Sequence, residues 1–330
     1  MQNPTFLRLA QFAVVLTLIV VVLGAYVRLS DAGLGCPDWP GCYGYMMVTQ
    51  AIANEPVATE AFPERPLEAD KAWKEMVHRY AAGLLGLTVA TMAWLAWRRR
   101  RDPGQPLGLP LFLVGLIVFQ ALLGMWTVTL LLKPAIVMLH LLGGFATLAL
   151  LWLLVLTQWR LPAVPVAGAL RAMAAGALLV LVGQIALGGW TSANYAALAC
   201  PDFPTCQTEW WPEMDFREAF VPWRGIGVDY EGGILENDAR VAIHMTHRLG
   251  ALLTTFVLAL LAFLVLRADS RALRVAGWAM LGLLALQVSL GLANVLLSLP
   301  LSIAVAHNGV AALLLLSLVT LNFLMRRRPA

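Results

Sequence analysis

Eight long apolar runs follow one another along this chain. About 20 apolar residues in a helix cross the roughly 30 Å of hydrocarbon in a bilayer. Only 13% of the 330 residues are charged, against about a quarter in an average soluble domain, and a soluble core does not cover so many helices that are apolar all round. The runs therefore predict an all-α integral membrane protein with eight transmembrane helices. The predicted spans lie near residues 9–28, 74–97, 108–131, 136–157, 169–190, 241–266, 273–297 and 301–325.

Arginine is concentrated in every second connection between these spans, which indicates the topology. Positive residues mark cytoplasmic loops, and an even number of spans places both termini on one side. No small-residue cleavage site follows the first span and no transit peptide precedes it, so we expect a retained span in a bacterial plasma (inner) membrane, with both termini cytoplasmic. The net charge of +4 then reflects topology and does not indicate nucleic-acid binding. The arginines are Arg98–Arg101, Arg160, Arg171, Arg267, Arg271, Arg274 and Arg326–Arg328.

The chain also repeats itself at an interval of 164 to 169 residues. Because four spans return the chain to its starting side, the repeat predicts two four-helix bundles related by a pseudo-two-fold axis along the membrane normal. The predicted halves are residues 1–160 and residues 161–330. The matching landmarks are Gly24–Tyr26 with Gly188–Trp190, Cys36–Cys42 with Cys200–Cys206, His78-Arg79 with His247-Arg248, Gln120 and Gly124 with Gln287 and Gly291, and His140 with His307.

Each half carries one pair of cysteines in the long loop after its first span. The pairs are Cys36 with Cys42 and Cys200 with Cys206, and the predicted topology places both loops on the oxidising outer side, where disulfides persist. Each pair is predicted to form a local disulfide, either structural or redox-labile. A metal site is the weaker alternative, because two thiolates without a nearby histidine do not complete a tetrahedral site.

Four of the five histidines lie near the outer ends of the even-numbered spans. These spans run in the same direction, so His78, His140, His247 and His307 share one depth near the outer leaflet. Polar side chains inside a membrane are costly and usually functional. Two imidazoles at equal depth on different helices can hold a haem iron from both faces, and carboxylate or thiol partners for another metal are lacking at the right spacing. Each half is therefore predicted to bind one haem.

Glycine and arginine accompany these histidines in both halves. Glycine lets a flat macrocycle approach a helix backbone, although small residues also serve packing between membrane helices. Arg79 and Arg248 directly follow a histidine and are candidates for contact with haem propionates, because arginine pairs well with carboxylates. Snorkelling to the membrane surface is the alternative role for both arginines. The accompanying glycines are Gly83, Gly86, Gly143, Gly144, Gly250 and Gly309.

One substitution distinguishes the two halves. Glu75 lies three residues before His78, on the same helical face, and the matching residue before His247 is His244. A carboxylate beside a haem edge can take a proton from water or stabilise developing positive charge. Glu75 is therefore a candidate catalytic residue of a reactive first half, with the second half as an electron relay. The residues alone leave open that Glu75 is a solvated residue at a helix start, where the dipole favours anions.

The motifs together resemble the haem A synthase family over nearly the whole chain. The resemblance is carried by residues 24–34, the loop cysteines, residues 75–79, His140, His247-Arg248 and His307. It implies an oxidoreductase that oxidises the C8 methyl group of haem O to the formyl group of haem A by successive hydroxylations, for cytochrome oxidase biogenesis. It also implies that His78 and His140 hold haem O beside the catalytic Glu75, and that His247 and His307 hold a haem B cofactor.

The sequence also bears on the partners of the protein and on alternative functions. The resemblance implies a haem O synthase that supplies the substrate and an electron acceptor that the sequence does not name. The oligomeric state is left open, a homo-oligomer included. The alternative function is a diheme b-type membrane cytochrome that exchanges electrons with quinone, although its haems usually lie at two depths. A transporter would need discontinuous helices with central polar groups, and a loop-disulfide oxidoreductase leaves the four histidines unexplained.

Overall fold

The computed structural model describes residues 4–159 and 161–326. Within these ranges eight helices are long and apolar enough to cross a membrane, which confirms the predicted all-α membrane fold. They are α1 (Pro4–Leu29), α4 (Ala69–Arg98), α5 (Gly108–Thr129), α6 (Pro134–Gln158), α7 (Gly168–Ala193), α9 (Asn237–Leu266), α10 (Arg271–Leu296) and α11 (Leu301–Leu324). Three short helices lie in the long loops: α2 (Val48–Ala53), α3 (Glu55–Ala61) and α8 (Phe216–Ala219). Of the arginines that predict the topology, Arg160, Arg327 and Arg328 lie outside the described residues.

Two long helices begin with polar turns that precede their apolar runs. α4 begins at Ala69 and α9 at Asn237, whereas hydropathy places the spans from residues 74 and 241. The added turns are polar, and each has an aspartate, Asp70 or Asp238, where the helix dipole favours an anion. In α4 the ammonium of Lys74 lies 2.5 Å from the Asp70 carboxylate one turn earlier. Local electrostatics therefore extend both helices beyond their apolar segments.

The long helices pack as two rings of four. In the first half the order around the ring is α1, α4, α5 and α6, and in the second half it is α7, α9, α10 and α11. The rings meet where α6 packs on α7 and α11, and where α1 packs on α11. A two-fold relation would produce contacts paired in this way, and the pseudo-two-fold axis itself stays a prediction.

A continuous apolar core fills the end of both rings that lies away from the histidines. It draws buried residues from all eight long helices, such as Met92, Leu151, Leu258 and Leu318. One polar bond crosses this core between the halves, where the indole nitrogen of Trp152 donates to the Thr320 hydroxyl at 2.8 Å. This close-packed end fixes the helices, and the histidines and disulfide loops lie at the opposite end.

The disulfide loops have the same form in both halves. Cys36 is bonded to Cys42 with a Cα–Cα distance of 4.8 Å, and Cys200 to Cys206 with 4.6 Å, which confirms the predicted pairing. In each loop the aspartate two residues after the first cysteine accepts backbone hydrogen bonds. Asp38 accepts from the amide of Tyr43 at 2.7 Å and Asp202 from the amide of Gln207 at 2.6 Å.

Part of the second outer loop lies over the first half. We call residues 221–233 the crossing segment. Within it, the amide of Tyr230 donates to the carbonyl of Leu131 at 3.1 Å, and the Tyr230 ring joins an apolar cluster with Leu34, Val128 and Leu132. The two halves are therefore tied together through their disulfide loops as well as through their long helices.

Charged side chains of the first half hold the crossing segment in place. The guanidinium of Arg65 lies 2.6 Å from the Asp229 carboxylate and 2.8 Å from that of Glu231. Lys133, only 1% exposed, donates to the carbonyl of Gly225, and its ammonium lies 3.3 Å from the centroid of the Trp223 ring. Burial lowers the pKa of Lys133.

Candidate functional site

The two histidines of each half lie on helices that are diagonal in their ring. His78 is on α4 and His140 on α6, and their ring centroids are 6.4 Å apart with the planes at 85°. A histidine nitrogen lies about 2 Å from a first-row metal, so two axial imidazoles have centroids roughly 6 Å apart. The separation in the first half therefore suits an iron between the two rings.

The second half repeats this placement. His247 is on α9 and His307 on α11, the diagonal pair of its ring. His140 and His307 are each the seventh residue of their helix, while His78 is the tenth of α4 and His247 the eleventh of α9. Each histidine thus has nearly the same position in its helix as its counterpart in the other half, and the common depth of all four stays a prediction.

Several buried ring nitrogens have no hydrogen-bond partner among the described residues. They are Nδ1 of His78, His140 and His307. Glutamine amides approach the second-half rings, with Nε2 of Gln184 3.1 Å from Nδ1 of His247 and Nε2 of Gln287 3.2 Å from Nε2 of His307. Buried polar atoms without partners are rare, and a bond to iron or to a haem would satisfy them. The residues present therefore fit a haem held by axial histidines.

A glycine on the neighbouring helix lies against each of the four imidazoles. These glycines are on α1, α5, α7 and α10, the helices that carry none of the four histidines. A Cβ atom added to the glycine would lie 3.0 to 3.4 Å from Cε1 of the ring, in the pairs Gly24 with His78, Gly124 with His140, Gly188 with His247 and Gly291 with His307. Each ring thus packs on bare backbone, which a larger residue would push away.

The glycines that follow the histidines in sequence differ in what surrounds them. A Cβ added to Gly143 would collide with the Gln120 carboxamide, and one added to Gly250 would collide with that of Gln184. These glycines make room for glutamines, while a Cβ on Gly83 would meet no described atom within 4 Å. The residues that bound the rings are instead Gly24, Gly124, Gly188 and Gly291, and their recurrence in the repeat was the signal that could have found them.

Glu75 is buried beside the first disulfide. It is 5% exposed, so the alternative of a solvated residue at a helix start is wrong. One carboxylate oxygen accepts from the backbone amide of Cys36 at 2.9 Å, and the other accepts from the guanidinium of Arg79. These two hydrogen bonds hold both oxygens of the carboxylate. The loop disulfide and the candidate catalytic group are therefore joined directly.

His244 takes the place of Glu75 in the second half. It is 4% exposed, and its Nδ1 lies 3.4 Å from the amide of Cys200 and 3.0 Å from the carbonyl of Ala196. A single ring nitrogen accepts from the amide or donates to the carbonyl, according to the tautomer. The second half thus keeps the position next to the disulfide but without a carboxylate.

Both candidate propionate arginines are engaged with the disulfide loops. Besides Glu75, Arg79 binds the carbonyls of Asp38 and Gly41 at 2.9 and 2.6 Å. Arg248 donates to the carbonyls of Cys200, Asp202 and Thr205 at 3.0, 2.7 and 2.8 Å. Each arginine fastens its loop to its helix, and propionate contact stays a prediction for both.

A polar cavity lies beside the loop segment that binds Glu75. It has a volume of about 160 Å³ and includes Gly35, which immediately precedes the amide donor to Glu75. Charged residues surround it: Glu64, Arg65, Glu68, Lys71 and Glu231. Tyr43 closes one side, and its hydroxyl donates to the Arg65 and Pro66 carbonyls at 3.1 Å. Burial raises the pKa of Tyr43 to about 12, so its hydroxyl stays a neutral donor.

The chain matches one family model and is similar to proteins that are named heme A synthase. The family model described as cytochrome oxidase assembly protein (COX15-CtaA) matches residues 8–319. A heme A synthase of Shewanella oneidensis is 48% identical over 320 residues, covering 96% of this chain and 96% of that protein. A heme A synthase of Methylobacterium nodulans is 29% identical over 326 residues, covering 91% of this chain and 86% of the relative.

Proposed function

The chain belongs to the COX15-CtaA family of cytochrome oxidase assembly proteins, and from this premise we propose how its two halves divide the work of haem A synthesis. The function is haem A synthesis for cytochrome oxidase, and the enzyme is an oxidoreductase acting on haem O. The C8 methyl group of the substrate becomes the formyl group of haem A by successive hydroxylations.

The first half, residues 1–160, is the substrate domain in this proposal, and the second half, residues 161–330, is the cofactor domain. His78 and His140 hold the iron of haem O, while His247 and His307 hold haem B. The single observation that carries this assignment is the difference between Glu75 and His244, because both lie beside a loop disulfide but only Glu75 supplies a carboxylate. Haem B, when bound, supplies one-electron redox chemistry.

The residues of the first half have distinct tasks in the proposed reaction. In each hydroxylation a water oxygen bonds to the methyl carbon, and two electrons and two protons leave. Glu75 takes a proton from the attacking water or opposes the positive charge that develops on the substrate. Arg79 and the Cys36 amide fix the carboxylate in place. The second hydroxylation gives a hydrated aldehyde, which loses water to yield the formyl group.

Water and protons need a route between Glu75 and the outside. The cavity is lined by Gly35, which precedes the Cys36 amide that binds Glu75, and by the carboxylates of Glu64, Glu68 and Glu231. Such a cavity can admit water and accept the released protons. The electrons pass to an acceptor outside this chain.

The chain is a multi-pass inner-membrane protein. We propose that both termini face the cytoplasm and that the disulfide loops face the outer side, following the arginine distribution. A haem O synthase supplies the substrate in this scheme, an electron acceptor completes the reaction, and lipid surrounds the helices. A homo-oligomer remains compatible with the proposal.

The activity is tested in a host that makes haems B and O but no haem A. The chain is expressed there with a haem O synthase, and the membrane haems are extracted and identified by mass. We expect haem A or its hydroxylated intermediate with the wild-type chain, and neither with Glu75→Gln. A haem-loaded chain that leaves only haems B and O, even with electron acceptors added, would instead support the diheme cytochrome.

A further inference from the structure

Arg28 and Tyr195 form a polar cluster at the seam between the two halves. Arg28 lies at the outer end of α1, and Tyr195 follows the end of α7. The guanidinium carbon lies 4.2 Å from the centroid of the tyrosine ring, and Nη2 of Arg28 donates to the Ser192 carbonyl at 2.7 Å. An arginine of the first half thus reaches the second half at the outer end of the rings.

This cluster has donors left over. Nε of Arg28 and the hydroxyl of Tyr195 are both buried, and neither has a hydrogen-bond partner among the residues that the structure describes. The carboxylate of Asp31 lies 3.9 Å from the guanidinium and is 63% exposed, which makes it a weak partner. Leaving buried charged donors unpaired is costly. A carboxylate ligand would satisfy them, because it accepts strong hydrogen bonds from arginine.

The position of Arg28 relates it to the first candidate haem site. Gly24, one helical turn before Arg28, is the residue whose backbone packs against the His78 imidazole. Residues four apart lie on the same helical face, so Arg28 lies on the face of α1 that bounds this site, one turn nearer the outside. A haem held by His78 carries two propionates, which are carboxylates of the required kind.

The second half has no arginine at the matching place. At the offset of 164 residues that relates the cysteine pairs, Arg28 corresponds to Ser192 and Asp31 to Tyr195. Asp31 and Tyr195 both have a positive φ, of 50° and 54°, so the backbone turn is the same and only the side chains differ. The extra cation therefore belongs to one of the two haem sites.

We propose that Arg28, together with Tyr195, binds a propionate of the haem that His78 and His140 hold, and that the second haem site lacks this contact. The proposal rests on the assignment of the first half as the haem O site. Arg28 and Tyr195 act as binding residues for the substrate, and they bring one residue from each half to the same carboxylate.

The first experiment measures haem content in the full chain purified from cells that make haems B and O. Haem O and haem B per chain are quantified for wild type, Arg28→Gln, Arg28→Lys and Tyr195→Phe. The control is Arg217→Gln, which removes an exposed arginine of the second outer loop. We expect Arg28→Gln to lower bound haem O roughly tenfold or more, as for loss of a charge-assisted hydrogen bond, with haem B unchanged. Arg28→Lys should keep part of the haem O that Arg28→Gln loses. Tyr195→Phe should lower the haem O content less than Arg28→Gln does.

The second experiment uses a probe that lacks carboxylates. Full-length chain from haem-starved cells is titrated with ferric haem B and with its dimethyl ester, and binding is followed by the Soret absorption. At the site that His78→Ala removes, wild type should bind haem B with free propionates (the diacid) more tightly than the dimethyl ester. Arg28→Gln should lose that preference. A merely structural role of Arg28 would leave the preference for the diacid intact.

Three results would overturn the proposal. Arg28→Gln could keep both the wild-type haem O content and the preference for the diacid. It could lose haem O and haem B in parallel with a lower melting temperature, which would make Arg28 a structural tie between the halves. The preference for the diacid that Arg28→Gln removes could also belong to the site that His247→Ala removes. A wild-type chain with haem B in both sites would contradict the assignment of the haem O site, while the ester titration would still decide the role of Arg28.

Discussion

In the first half the amide beside the loop disulfide donates to a carboxylate, and in the second half the corresponding amide faces an imidazole. Glu75 accepts from Cys36 at 2.9 Å, whereas His244 lies 3.4 Å from the amide of Cys200. Both acceptors are buried, and both stand one turn before a candidate haem ligand. The scaffold around the two positions is the same, so the difference lies in what each side chain can do with a proton.

The arginines sharpen this contrast. Arg79 and Arg248 both bind carbonyls of the adjacent disulfide loop, but only Arg79 also binds a carboxylate, that of Glu75. The second half therefore keeps the bonds of the arginine to its loop but lacks the bond to a carboxylate. A repeated scaffold with one changed acidic position explains how duplicated halves can specialise, one for chemistry on a substrate and the other for holding a redox cofactor.

Removal of one histidine at a time should have the largest effect, and it tests which half holds which haem. We expect His247→Ala to lose haem B and retain haem O, and His78→Ala to lose haem O and retain haem B, because each ring belongs to one bundle. Both variants should lack haem A formation. Extraction and chromatography of the bound haems measure the two contents separately, and the opposite pattern would mean that the roles of the halves are reversed.

Replacement of the Glu75 carboxylate should have the second-largest effect. Glu75→Gln keeps the shape of the side chain but removes its negative charge, so haem A formation should fall by roughly 10²- to 10⁴-fold, the range for loss of a general base. Haem O and haem B contents should stay near wild type. Glu60→Gln, which changes an exposed glutamate of the same loop outside the cavity, is the matched control and should keep full activity. Full activity of Glu75→Gln with haem O bound would falsify the catalytic role.

Much of the fold could be predicted from the sequence because a bilayer imposes length and apolarity on each span. The same holds for the histidine pairs and the cysteine pairs, which recur in the repeat. The partners of Glu75 could not be predicted, because the bond to the Cys36 amide depends on how the loop folds back onto α4. Polar turns at Ala69 and Asn237 also escaped hydropathy, since they are helical without being apolar.

The crossing segment shows a second limit of sequence reasoning. Its bonds join Arg65 to Asp229 and Lys133 to Gly225, residues far apart in the chain. No local pattern marks such pairs, and a repeat predicts only contacts that both halves share. The contacts of the crossing segment and of the Arg28 cluster join the two halves and do not follow the repeat, so they are invisible to an argument from symmetry.

Removal of the disulfides one pair at a time gives a smaller effect that differs between the halves. Each bond closes a short loop, with a sequence separation of six, so each double Cys→Ser variant should lower the free energy of unfolding by about 2 kcal/mol. The variant at Cys36 and Cys42 should also lower haem A formation several-fold, because the Cys36 amide holds Glu75. The variant at Cys200 and Cys206 should not. Melting curves and product analysis test this, and equal loss of activity in both variants would indicate that the disulfides take part in electron transfer.

The smallest expected effect concerns the crossing segment, the part of the second half that lies over the first half. Arg65→Gln removes two partly exposed ion pairs, to Asp229 and Glu231, and should cost about 1 kcal/mol, since such pairs contribute a few tenths to one each. Hydrogen exchange should then quicken at residues 221–233 and stay unchanged within α9. The control Arg224→Gln removes the ion pair with Glu218 inside the second loop, which does not cross between the halves. If both variants loosen the crossing segment equally, Arg65 is not what binds it to the first half, and the packing of Tyr230 with Leu34 and Leu132 is the stronger tie.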